Sequence, residues 1–71
     1  SPNGVNSNVY SHLEIGQNVR IKPSGESSDP IVSGDLRYLD SMTIAINHYS
    51  VEAGNVAIHF PVSGYEILVN E

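Results

Sequence analysis

His12, His48 and His59 are the side chains of this chain whose ordinary pKa lies near neutrality, so any acid-base chemistry would start from them. A general base works only with a proton to take within hydrogen-bond reach and a neighbour that orients its ring. His59 falls between Ile58 and Phe60 at the outward position of an alternating run, which makes it a partly exposed strand residue rather than a catalyst. His48 and His59 would share a metal only if two strands set them opposite each other. Pairing Ile46 with Ile58 instead sets Ala45 across from His59, and no local carboxylate completes a structural site. Serines are frequent but cluster with Gly, Pro and Asp in turn-like stretches, and no nucleophile elbow occurs. Gly25, Gly34, Gly54 and Gly64 are isolated, so no phosphate-cradling loop is written into the chain, and each reads as a turn, bulge or close-approach glycine. The expectation is a domain with no catalytic residue, no metal ligand and no cofactor of its own.

Binding chemistry is the remaining option. Arg20, Lys22 and Arg37 share outward parity on what read as the first two strands, and with His59 they make up the candidate interaction surface. Asp35 lies on the same outward face and partly neutralises it, so a solvated cross-strand charge cluster is favoured over an anion site. Tyr38, Phe60 and Tyr65 share parity with apolar neighbours, which leaves Tyr10 and Tyr49 as the aromatics free to stack on a ligand from loops.

Composition narrows the partner. Among 71 residues, 3 basic side chains face 8 acidic ones for a formal charge of −5, a balance that opposes nucleic acids and anionic membranes. The expected partners are other domains of the same polypeptide or another protein. No apolar run reaches the length of a transmembrane helix, roughly 18 to 20 residues, and Ser1-Pro2-Asn3-Gly4 lacks the charged and apolar regions of a signal peptide. There is no cysteine, so disulfides and thiolate chemistry are excluded and a cytoplasmic setting is expected.

These residues must be positioned by strands. Residues 1–12 carry Ser, Asn, Gly and Pro with little apolar content and read as a flexible linker or tail, leaving 13–71 as the folded domain. From Leu13 onward the apolar residues recur with period two between Gly, Pro, Ser, Asp and Asn punctuation. Strands are expected over 18–22, 31–39, 42–47, 56–60 and from Tyr65 onward. A three-residue hairpin loop, Leu39 to Ser41, would pair Tyr38 with Met42 and Leu36 with Ile44 and keep their faces matched. The inward set is then Val19 and Ile21; Val32, Leu36 and Tyr38; Met42, Ile44 and Ile46; Val56, Ile58 and Phe60; and Tyr65, Ile67 and Val69. Short twisted strands with one apolar face and exposed edges point to an all-β fold, a small five-stranded, partly open SH3-like antiparallel barrel.

Two stretches carry a family resemblance. Asp29-Pro30-Ile31-Val32-Ser33-Gly34-Asp35-Leu36 with Thr43-Ile44-Ala45-Ile46, and then Ala53 to Tyr65 with its His59-Phe60-Pro61 strand end followed by Gly64-Tyr65, resemble a C-terminal β-barrel extension of bacterial glutathione S-transferase-like proteins. In that family glutathione is held by an N-terminal thioredoxin-like domain followed by a helical domain, neither of which these residues contain. The resemblance therefore implies a non-catalytic accessory or interaction domain of a larger transferase-like protein, with glutathione a cofactor of the parent alone. Val62 stands where a basic residue would be expected in such an extension, and His48-Tyr49-Ser50 replaces a charged loop. Gly34, Leu36, Asp40, Met42 and Ile46 resemble part of the strand-loop-strand spacing of an Sm-like RNA-binding barrel, and Leu13 to Gln17 resembles the lead into the N-terminal regulatory barrel of PilZ-containing proteins. The charge sign opposes the first, and the arginine-rich dinucleotide motif of the PilZ domain is absent from the chain.

Overall fold

The computed structural model describes residues 12–70. The tail expected over residues 1–12 lies outside the described residues except for His12, which is exposed. Five strands follow in chain order: β1 (Asn18–Pro23), β2 (Val32–Leu39), β3 (Thr43–Ser50), β4 (Gly54–Pro61) and β5 (Tyr65–Val69). They form one antiparallel sheet in the order β4-β3-β2-β1-β5, and no helix occurs among the described residues.

The chain is a meander from β1 to β4, after which β5 returns to the free side of β1. That return passes through only Val62, Ser63 and Gly64. In a flat sheet the two edge strands would stand four strand spacings apart, roughly 19 Å. Four Cα steps reach at most about 14 Å. The sheet must therefore curl until β4 and β5 approach, and it does so without a ladder between them, so it remains open rather than closing into a barrel. Turn chemistry supports the bends: Gly54 (φ 76°) and Gly64 (φ 94°) occupy the left-handed region at the start of β4 and just before β5. The Ser50 hydroxyl accepts hydrogen bonds from the backbone N–H groups of Glu52 and Ala53, both at 3.2 Å, in the turn between β3 and β4.

The concave face encloses the core. Val19 and Ile21 of β1, Leu36 and Leu39 of β2, Ile44 and Ile46 of β3 and Ile67 of β5 are buried together with Leu13, which precedes the first strand. Val32, Ile58, Phe60, Val62, Tyr65 and Val69 pack against that cluster while remaining half-exposed, and the Phe60 and Tyr65 rings meet at 5.2 Å between centroids.

Two inward assignments and one register are corrected by the structure. Tyr38 is 40% exposed and Met42 73% exposed, whereas Leu39 is fully buried. The cause is a β-bulge: β2 pairs with β3 as Leu36 with Ile46, but then as Tyr38 with Ala45 and Leu39 with Ile44. The extra residue, Arg37, shifts the alternation by one, so the inward residue after Leu36 is three positions on instead of two. The hairpin then closes with Asp40 donating its backbone N–H to the Thr43 carbonyl at 3.1 Å around a two-residue loop, Ser41 and Met42, in place of the expected three-residue loop.

Candidate functional site

Strand β2 is shared between two partners, and the site arises where it changes from one to the other. Its first half pairs with β1, from Val32 opposite Ile21 to Asp35 opposite Asn18. Its second half pairs with β3, beginning at Asp35 opposite Asn47. Beyond that point, among the described residues, β3 pairs only with β4, with His48, Tyr49 and Ser50 opposite Val56, Asn55 and Gly54. The two strands therefore part company at one end of their ladder. An open depression of about 340 Å³ occupies the gap, lined from β2 by Ser33, Gly34 and Asp35, from β3 by Asn47, His48 and Tyr49, and at its margins by Asn18 and Asn55.

Gly34 sits at the fork. It is buried, and a β-carbon there would collide with the Asn47 carbonyl oxygen and stand 3.0 Å from Ile46 Cδ1. Only glycine permits β3 to pass this closely before it diverges, which is the close-approach role its sequence context suggested. His48 then bridges the gap: its Nδ1 lies 2.7 Å from the Ser33 carbonyl oxygen. A carbonyl accepts and cannot donate, so Nδ1 carries the proton and Nε2 is the ring atom left to other partners.

A row of polar side chains runs across the outer face beside this fork. Register places Asn18 next to Asp35, Asp35 next to Asn47, and Asn47 next to Ala57. The Asn70 side-chain amide donates to Asn18 Oδ1 at 2.6 Å, and Asn18 Nδ2 donates to Asp35 Oδ1 at 3.0 Å. Arg37 Nη1 donates to Asn47 Oδ1 at 3.2 Å. Asn18 is thereby engaged at both ends, whereas Asp35 and Asn47 are each held at one end, which leaves Asp35 Oδ2 and Asn47 Nδ2 without a side-chain partner among the described residues.

At the opposite end of the same ladder the chemistry is closed on itself. Asp40 Oδ1 accepts from the backbone N–H groups of Met42 and Thr43, both at 2.8 Å, and Oδ2 accepts from the Tyr38 hydroxyl. The Tyr38 hydroxyl and the two backbone donors hold the Asp40 carboxyl below its ordinary range. The same hydrogen bond, aided by desolvation and the carboxylate charge, raises the Tyr38 phenol. This pair is a hairpin clasp.

The residues expected to form an interaction surface are exposed but are not gathered. Arg20 stands opposite Ser33 and Leu68, Lys22 opposite Glu66, and Arg37 lies beyond Asp35 along β2 and is bonded to Asn47. His59 is on β4, opposite Ala45 as expected, and His48 lies three residues further along β3, opposite Val56. Among the described residues no group of three or more His, Asp or Glu side chains is placed to hold a metal ion. Sequence reasoning missed the cleft residues Ser33, Asn47 and Asn55. Their signal was an unusual number of carboxamides with outward parity, Asn18, Asn47 and Asn55, which becomes a cluster only when strand order is known.

No known family model matches the chain, and no curated protein matches it.

Proposed function

We propose that this chain is a non-catalytic accessory domain whose role is to recognise an extended segment of polypeptide, from a neighbouring domain of a larger protein or from a protein partner. The observation that carries this reading is the outer edge of β4. Its eight residues, Gly54 to Pro61, pair among the described residues on one side only, with β3, and contain no Lys, Arg, Asp or Glu. Proteins that must keep an edge strand solitary place charges or a proline within it; here Pro61 stands only at the end. An added strand would complete the backbone pairing of β4. It would also cover the half-exposed side chains of Val56, Ile58 and Phe60, which alternate along its inward face.

Amide exchange tests this. In the isolated domain the outward-directed β4 amides exchange rapidly, and in the intact parent protein or partner complex they become protected by about 100-fold or more, as buried ladder amides are. Equal exchange in both settings would overturn the reading. The resemblance of Val56 to Tyr65 to the extension of glutathione S-transferase-like proteins supplies one candidate parent. Sequence flanking this segment decides that point, because a parent without a thioredoxin-like domain rules it out. An RNA-binding role gains no support from the dispersed positions of Arg20, Lys22 and Arg37.

A further inference from the structure

We propose that the fork between β2 and β3 is a binding site for a neutral saccharide. Apart from Asn55 at the start of β4, the site is built from β1, β2 and β3, and it does not depend on the pairing of the β4 edge.

Hydrogen-bonding capacity in the cleft selects the ligand class. Asp35 spends Oδ1 on Asn18, and Oδ2 has no partner among the described residues. Asn47 spends its Oδ1 on Arg37, and its Nδ2 donors remain. His48 spends Nδ1 on the Ser33 carbonyl, so Nε2 is an acceptor in the neutral ring. Ser33 adds a hydroxyl, and Asn55 a carboxamide, at the same depression. The lining thus offers both donors and acceptors, which is the complement of a ligand whose hydroxyls each donate and accept. The groups already spent are equally informative. Asn18, itself held by Asn70, fixes Asp35 Oδ1, and Arg37 fixes Asn47 Oδ1, so the remaining atoms of Asp35 and Asn47 are oriented before a ligand arrives.

Charge excludes the other polar ligands. The lining contains one carboxylate and no Lys or Arg, which disfavours phosphates and other anions. A single carboxylate without a set of companion ligands does not make a cation site. Tyr49 supplies the remaining element: its side chain lines the depression and is 67% exposed, so an aromatic surface is available for the C–H face of a sugar ring. The volume, about 340 Å³, lies at the lower end of the range for small-ligand sites and suits one or two sugar rings in an open cleft.

The test is an amide-resolved NMR titration of the labelled chain with neutral oligomers of glucose, mannose, galactose and N-acetylglucosamine, each to about 10 mM, and separately with inorganic phosphate and with calcium. At least one saccharide should shift the amides of Ser33, Asn47, His48 and Tyr49. Tyr49→Ala and Asn47→Ala, both at exposed positions, should each weaken that binding by about tenfold or more, while Val51→Ser, on the adjoining turn, leaves it unchanged. Shifts with no saccharide, shifts confined to another surface, or stronger shifts at the same amides with phosphate or calcium would each overturn the assignment.

Discussion

The two ends of the β2–β3 ladder are built from the same pair of strands and do opposite things. At the hairpin end the strands converge: Leu39 and Ile44 are fully buried opposite each other, Ala45 beside them is buried, and Asp40 ties the loop with three hydrogen bonds. At the fork end they separate, backbone pairing gives way to a single histidine-to-carbonyl bridge, and the exposed groups are amides, a carboxylate and a phenol ring. Convergence places side chains where they exclude water. Divergence leaves polar groups with unspent bonds, and those are the groups a ligand can use.

The contrast can be tested most severely at its apolar anchor. Leu39→Ala should cost about 2 to 5 kcal/mol through lost burial and the cavity left behind. Its neighbour Tyr38, outward beyond the bulge, should tolerate truncation far better. Thermal melts of the two variants decide the matter, and a reversed order would mean that the bulge at Arg37 is misplaced. Next in size is Gly34→Ala, which sets a methyl group against the Asn47 carbonyl and should destabilise by about 1 to 3 kcal/mol, as overpacking does. Urea denaturation measures it, and the widened fork should appear as amide shifts at Asn47 and His48.

A smaller, pH-dependent effect is expected at the hairpin. Asp40 has its carboxyl lowered in the fold, so its stabilising contribution is present above the ordinary carboxylate pKa and is lost as pH falls through the lower folded value. Tyr38 is raised, so its contribution is present below the ordinary phenol pKa and is lost as pH rises through the higher folded value. In Asp40→Asn both edges of that window should flatten in a plot of melting temperature against pH, and an unchanged profile would show that the clasp does not form in solution. Smallest of all, Val51→Ser on the fully exposed turn beyond β3 should alter stability by less than about 0.5 kcal/mol.

The five strands were legible because half-buried antiparallel strands impose a period of two, and Val19-Arg20-Ile21 and Val56 to Phe60 follow it without interruption. The pairing of Ile46 with Ile58, assumed from their shared face, is also the observed β3–β4 register, although face parity alone allows shifts by two. Leu39 was missed for a specific reason: Leu36-Arg37-Tyr38-Leu39 reads equally well as a regular alternation carrying Tyr38 inward or as a bulge carrying Leu39 inward. The choice rests on three-dimensional packing of Leu39 against Ile44. The candidate site was less legible still. The outward parity of Asn18, Asp35 and Asn47 could be read along each strand, but their adjacency depends on which strands are neighbours.

By itself the amino-acid sequence determined the all-β class, the strand positions, the absence of thiol chemistry and the acidic balance, because these follow from local periodicity, turn residues and composition. Tertiary structure alone decided where β2 exchanges one partner for another, and with it the bulge, the buried Gly34 and the cleft. Those features depend on the strand order and on the β2–β3 register, which bring together residues far apart in the chain. The place where the pairing of β2 and β3 lapses is set by that register, because which strands are neighbours is not written in local periodicity.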